Sequence, residues 1–208
     1  MTALFDHRVG HWTYDLMIDI DDVIFPLVDS IHEEAHKAGL HDNSEPVRAW
    51  EAYLQYGCPP ERYWALWIKF AADGGYLNTP PIPGRVEALR QLHLDGHRIH
   101  LVTARGFMAN AENIRAWTPQ WLEEFAVPHQ TLTFIKDKVA AQAELSLEFD
   151  FAVDDATHNF EALSSAGIVT FLMNHTHNET YRTPFRIPDL WEFARIVGSY
   201  EEEPLDER

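Results

Sequence analysis

Leu16-Met17-Ile18-Asp19-Ile20-Asp21-Asp22-Val23 is an apolar run that ends in three carboxylates. Tyr14 to Ile18, interrupted by one acid, reads as a buried strand of a parallel sheet. Such sheets bind ligands just beyond the carboxyl ends of their strands. Asp19 and Asp21 are two apart, so in extended chain they point the same way. Carboxylates side by side repel each other, and burying them at a strand end raises that cost. A cation between them removes it, and an all-oxygen donor set suits Mg²⁺. Taken alone, the segment also fits a turn or capping role, because Asp is common in turns. The rest of the chain decides between the two.

From Pro83 onward, helices and strands alternate. Arg85 to Asp95 places Val86, Leu89 and Leu92 at helical spacing, with Gly96 as the stop. Arg98 to Thr103 reads as a strand and runs into Ala104-Arg105-Gly106. Ala109 to Phe125 reads as a helix broken or kinked at Pro119, followed by a strand at Thr131 to Ile135. Next come a helix at Lys138 to Leu145 and a strand at Phe149 to Val153, ending at Asp154-Asp155. A helix at His158 to Ser165 and a strand at Ile168 to Met173 complete the series. This alternation predicts an α/β class, Rossmann-like core with a mostly parallel sheet.

Between Pro26 and Pro83 the pattern changes. Three helical stretches, Leu27–Ala38, Glu45–Tyr56 and Glu61–Ala72, replace the strands. A crossover between parallel strands needs only about a dozen residues with its helix, so this region is in excess. The expected organisation is a core of residues 1–26 and 80–208, with residues 27–79 as an inserted helical cap. Pro80-Pro81-Ile82-Pro83 would be the stiff exit linker. Residues 1–13 and the charged Glu201–Arg208 tail need no function beyond solvation.

Composition narrows the class of partner. The 208 residues carry a formal net charge of −17, which argues against a nucleic-acid polymer or an anionic membrane surface. A small phosphate compound stays compatible, since a metal and local lysines can neutralise it. One cysteine, Cys58, excludes an internal disulfide and fits a reducing compartment. No signal sequence is visible and no run reaches the ~20 apolar residues of a membrane span, so a cytoplasmic protein is expected. A homodimer is the assembly left open.

Four segments line up at strand ends or helix starts: Asp19-Ile20-Asp21-Asp22-Val23, Leu101-Val102-Thr103, Lys136-Asp137-Lys138 and Val153-Asp154-Asp155. Their order resembles the four motifs of the haloacid dehalogenase-like phosphatases, over about residues 14–175. The Lys136-Asp137-Lys138 segment and Pro81-Ile82-Pro83-Gly84 further resemble the 5′(3′)-deoxyribonucleotidases. Ala104 stands where that family commonly has a hydroxyl residue, and Asp22 where the usual residue is Gly.

The resemblance implies Asp19 as nucleophile, forming an aspartyl-phosphate, and Asp21 as general acid and then base. It implies Mg²⁺ held by Asp19, Asp21 and Asp155, with Asp154 behind Asp155, although the reverse order of the pair is open. Thr103, Lys138, Lys136 and Arg105 are the phosphate-binding candidates. The expected substrate is a small phosphomonoester, foremost a nucleoside 5′-monophosphate. The rivals are a sugar-phosphate phosphatase, a phosphotransferase, and a catalytically silent nucleotide-binding protein on the same scaffold.

Cap aromatics are the least legible part. Trp50, Tyr53 and Tyr56 share one helical face, and Tyr63, Trp64, Trp67 and Phe70 crowd the next helix. Most should be core, because a small helical unit must bury something. Phe25, Trp64 and Trp67 are the candidates for stacking on a base. His175 and His177 form an HxH pair after a strand, and lacking a third ligand they read as loop residues.

Overall fold

The computed structural model describes residues 12–40, 45–49, 51–107 and 111–200. Trp50 and the two terminal segments lie outside the described residues. Six strands, all parallel, form one sheet in the order β3-β2-β1-β4-β5-β6. They are β1 (Asp15–Ile18), β2 (Arg98–Thr103), β3 (Thr131–Phe134), β4 (Phe151–Asp154), β5 (Val169–Met173) and β6 (Arg186–Ile187). Leu16, Met17 and Ile18 are wholly buried, as the central strand of a sheet covered on both faces requires.

Register sets up the site. Ile18 is level with Leu101 of β2 and Val153 of β4, and the Asp19 N–H donates to the Val153 carbonyl at 3.0 Å. Asp19 therefore emerges beside Asp154, and Thr103 ends the strand on the other flank. The chain then closes a tight turn, with Ile24 and Phe25 N–H groups both donating to the Ile20 carbonyl. Asp22 takes a left-handed φ of 55° in this turn, where Gly would be unstrained. Its carboxylate accepts from Val28 N–H at 2.9 Å, inside the first turn of helix α1 (Leu27–Lys37). That bond offsets the backbone cost.

Helices α2 (Ala52–Gln55), α3 (Pro60–Ala72) and α4 (Gly75–Asn78) follow α1. Glu34 of α1 accepts from Lys69 of α3 at 2.9 Å, which fastens the two longer helices together. The expected helix at Glu45–Tyr56 is reduced to α2. Pro46 and Arg48 explain this: the Gln55 side chain donates to the Pro46 carbonyl and accepts from Arg48 N–H, both at 2.9 Å. Those backbone groups are thereby satisfied outside a helix. The exit linker is tied to the sheet side, with Ile82 N–H on the Ile24 carbonyl and Trp121 Nε1 on the Thr79 carbonyl.

The remaining helices are α5 (Arg85–Leu94), α6 (Ala111–Glu124), α7 (Ala141–Leu145), α8 (Thr157–Ser165) and α9 (Leu190–Ser199). Helix α6 is continuous through Pro119, so of the expected break or kink it is the break that does not occur. The Thr118 hydroxyl donates to the Ile114 carbonyl and the Gln120 amide to that of Ala116, while Trp121 and Leu122 are buried. Lys138 was expected to open a helix, but α7 begins only at Ala141. Asp137 accepts from Val139 and Ala140 N–H and holds Lys138 in a turn instead. β6 and α9 lie where periodicity raised no expectation; Asp189 caps α9 by accepting from Glu192 N–H at 2.8 Å. No described helix is long and apolar enough to cross a membrane.

At the amino-terminal end of the strands, Asp15 accepts from Arg98 Nε and Nη2 and sits 2.9 Å from His100 Nε2. Arg98 holds the Asp15 carboxyl below its ordinary value of 3.8. A depressed carboxylate stabilises the fold above its unfolded pKa and loses that contribution as pH falls through the folded one. Asp15→Asn is therefore expected to cost about 1 kcal/mol at neutral pH, discounted because Arg98 is half-exposed. The deficit should begin to shrink as pH falls to about 4 and vanish only below the depressed folded pKa. Thermal melts across pH check this; a deficit that persists in acid contradicts it.

Candidate active site

The carboxyl ends of β1, β2 and β4 and the turn after β3 converge on one cavity. Asp19, Asp21, Arg105, Lys136, Lys138 and Asp155 line it from the sheet side; Tyr63, Trp64, Trp67 and Tyr76 line it from α3 and α4. The sequence-expected residues are thus largely brought together. Thr103 is wholly buried and not among the lining residues, its Oγ1 accepting from Arg105 N–H at 3.1 Å.

Lys138 is the hinge of the electrostatics. Its Nζ lies 2.7 Å from Asp19 Oδ1 and 2.5 Å from Asp154 Oδ2, and its side chain is only 3% exposed. Burial disfavours its charge, but Asp154 and Asp19 outweigh that and hold its pKa above the ordinary lysine value. Burial pushes Asp19 well up despite Lys138, with Asp154 and Asp155 adding repulsion. Asp155 is pushed up by burial and then by Asp154; Asp22 is raised by burial and then by Asp155.

The acidic pair divides its work visibly. Asp154 is saturated by Lys138, Ala156 N–H and the Asn159 amide. Asp155 Oδ2 is buried with His177 Nε2 2.9 Å away, and no described group meets it in hydrogen-bond geometry. Oxygens of Asp19, Asp154 and Asp155 lie within 4.8 Å of one another. Burial lowers the pKa of His175 and of His177, which lie beside Asp22 and Asp155, to about 4, so at neutral pH they add no positive charge. Lys138 pairs with Asp19 and Asp154 and Arg105 with Asp21, which leaves Asp22 and Asp155 without a lysine or arginine partner among the described residues. The hard oxygen donors of the cluster fit a divalent metal such as Mg²⁺.

Arg105 has a different place from the one expected. Its Nε and Nη2 donate to Asp21 Oδ1 at 2.9 and 2.7 Å. The guanidinium lies 4.2 Å over the Phe25 ring, with Tyr76 and Trp121 also close. Phe25 accordingly does not line the cavity: it is fully buried, and Arg105 covers its face. The expected base wall is the platform beneath an Asp21 clamp. Trp64 is half-exposed and Trp67 partly buried, and their rings are 5.8 Å apart. Lys136 is exposed at the mouth, 5.4 Å from the Phe107 ring.

Tyr76, Asn159 and Asp22 were missed as site residues. Asn159 lies in the first turn of α8, the helix that directly follows Asp154, which is the signal that could have found it; Tyr76 belongs to a four-residue helix with no periodicity to read.

A parallel sheet with a nucleophile-spaced Asp pair, a buried Lys and an acidic pair at its strand ends defines an enzyme of the haloacid dehalogenase-like phosphatase class. Residues 14–197 match the model of the family 5′ nucleotidase, deoxy (Pyrimidine), cytosolic type C protein. The chain belongs to that family. It is 30% identical to a Chlorobaculum tepidum protein named "Putative 5′(3′)-deoxyribonucleotidase", over 50% of this chain and 48% of that one. The chain thus spans about half the length of this relative. A Bacillus cereus "Putative nucleotidase" is 25% identical over 88% of this chain and 94% of its own. Among solved structures, a haloacid dehalogenase-like family hydrolase from Streptococcus pneumoniae superposes with a TM-score of 0.60 at 10% identity, covering 88% of this chain and 97% of its own. The D,D-heptose 1,7-bisphosphate phosphatase of Burkholderia thailandensis gives 0.52 at 15%, covering 90% and 100%. These two speak to the fold alone.

Proposed function

We propose that this chain hydrolyses nucleoside monophosphates through an aspartyl-phosphate on Asp19. The observation that carries the reading is the buried carboxylate cluster around Lys138, in which Asp155 Oδ2 has no lysine or arginine partner among the described residues. Family membership and the name of the Chlorobaculum relative support the nucleotide substrate.

Asp19 and Asp155 would hold Mg²⁺, with the Asp21 backbone as a further contact and Asp154 kept behind by Lys138. Bound there, the ion would offset negative charge on phosphate and carboxylate. The Asp19 carboxylate attacks phosphorus, and the bond from phosphorus to the ester oxygen breaks. Asp21 gives that oxygen its proton. Asp21, now ionised, takes a proton from water as the water attacks phosphorus, and the bond from Asp19 to phosphorus breaks. Atoms balance: alcohol, inorganic phosphate and a regenerated Asp19. Arg105 keeps Asp21 aimed at the cavity, and reaches phosphate only by releasing it. Thr103, Lys136 and Lys138 remain the phosphate contacts.

Residues 27–79 act as the cap and supply selectivity. A base resting on Trp64 or Trp67 would gain ~1–3 kcal/mol from stacking. Trp64→Ala and Trp67→Ala are therefore expected to raise KM for nucleotides ~5-fold to 100-fold and to leave KM for an aryl phosphate nearly unchanged. Equal effects on both substrates would remove the Trp pair from base recognition.

The test of function is phosphate release from deoxy- and ribonucleoside monophosphates, sugar phosphates and an aryl phosphate, each with Mg²⁺ and with chelator. Mg²⁺-dependent turnover favouring nucleotides is expected. A sugar phosphate turned over while nucleotides stay inert would overturn the substrate assignment. Product transfer to added alcohols would identify a phosphotransferase.

A further inference from the structure

The HxH pair after β5 has a use outside the chemistry above. Leu172 of β5 is level with Asp154, so the chain leaving β5 passes alongside Asp155. A 3-10 turn at Thr176–Asn178 folds it back against that residue. Buried Asn178 donates to the Asp155 carbonyl at 2.7 Å and to the Met173 carbonyl at 2.8 Å. Arg186 Nη2 in turn donates to Asn178 Oδ1 at 2.7 Å. The backbone of Asp155 is thereby fixed from behind.

Its side chain meets the imidazole. His177 Nε2 lies 2.9 Å from Asp155 Oδ2, with the two side chains 2% and 4% exposed. His175 stacks on His177 with ring centroids 4.3 Å apart, and its Nε2 is 3.7 Å from Asp22 Oδ1. The imidazoles are not part of the three-carboxylate group; they stand behind it. The same turn carries the cap segment, for the Thr176 hydroxyl donates to the Val47 carbonyl and Glu179 pairs with Arg48, both at 2.5 Å.

We infer that His177 is a positioning residue for Asp155, fixing the rotamer of a metal-holding carboxylate, while Asn178 fixes its backbone. The inference rests on the reading of Asp155 as a metal ligand. The physical reason is specific to Asp155: Asp154 has three donors of its own, whereas Asp155 Oδ2 has only the imidazole contact at 2.9 Å. Partners that orient a ligating side chain typically carry ~10-fold to 100-fold of metal affinity.

The experiment is Mg²⁺ titration calorimetry on the intact chain and on His177→Ala and His177→Gln, with thermal melts in chelator. The Mg²⁺ Kd is expected to rise ~10-fold to 100-fold in His177→Ala and by less in His177→Gln, which offers an amide donor. The chelated melting temperature should stay near that of the parent, and added Mg²⁺ should restore turnover. Unchanged Mg²⁺ affinity in either folded variant overturns the inference. The unsubstituted protein supplies a second readout that needs no variant to fold. The His177 ring ¹⁵N signals should move on Mg²⁺ addition while those of exposed His93 stay; a His177 signal indifferent to Mg²⁺ overturns it equally. A parent chain that takes up no Mg²⁺ contradicts the metal reading beneath it.

Discussion

Asp19→Asn is expected to reduce phosphate release on the order of 10⁴-fold or more, the scale seen when a covalent nucleophile is removed. The amide is nearly isosteric, so the turn after β1 and the Asp19 N–H bond to Val153 should survive. Lys138 keeps Asp154 as its partner, which prevents an uncompensated buried ammonium. Burial and the neighbouring acids already disfavour the charged Asp19, so without Mg²⁺ the variant should melt at or above the parent temperature. Activity and stability thus move in opposite directions. Phosphate release with paired thermal melts in chelator checks both, and a variant that loses activity by unfolding would not support the assignment.

Lys138→Ala is expected to fail in both respects. The side chain is the cation common to Asp19 and Asp154, and it is fully buried between them. Removing one member of a buried charge pair leaves the other uncompensated, at ~3–5 kcal/mol. Here several carboxylates are stranded together, because Asp154 is close enough to raise the pKa of Asp155 and Asp155 that of Asp22. Turnover should fall below detection, since charge on the phosphate loses its fixed counterion. Lys138→Arg should rescue little: the planar guanidinium does not replace a compact ammonium in a closed site. Urea unfolding of the three proteins with phosphate release alongside measures this. A Lys138→Ala protein as stable as the parent would show that the cluster does not depend on Lys138.

The strand-end motifs were legible in the sequence because a parallel sheet turns them into neighbours. Ile18, Leu101 and Val153 share one level, so residues just past them must meet. Element boundaries were read wrongly where a side chain took over backbone hydrogen bonds, as Gln55 does for Pro46 and Arg48 and Asp137 does for Val139. The Asp21 clamp was beyond reach for a different reason. Arg105 rests on rings from Phe25, Tyr76 and Trp121, three positions joined only by tertiary packing. His175 and His177 were visible as a pair, but their targets depend on how far β5 runs relative to β4.

Covalent chemistry at Asp19 is the central step of the proposed reaction. The direct measurement is acid quench during turnover with Mg²⁺ and a nucleoside monophosphate, then borohydride reduction and peptide mass mapping. Reduction of an acyl phosphate at position 19, and at no other carboxylate, is the predicted result. Steady turnover with an unmodified Asp19 would contradict the mechanism and leave direct attack by water in its place.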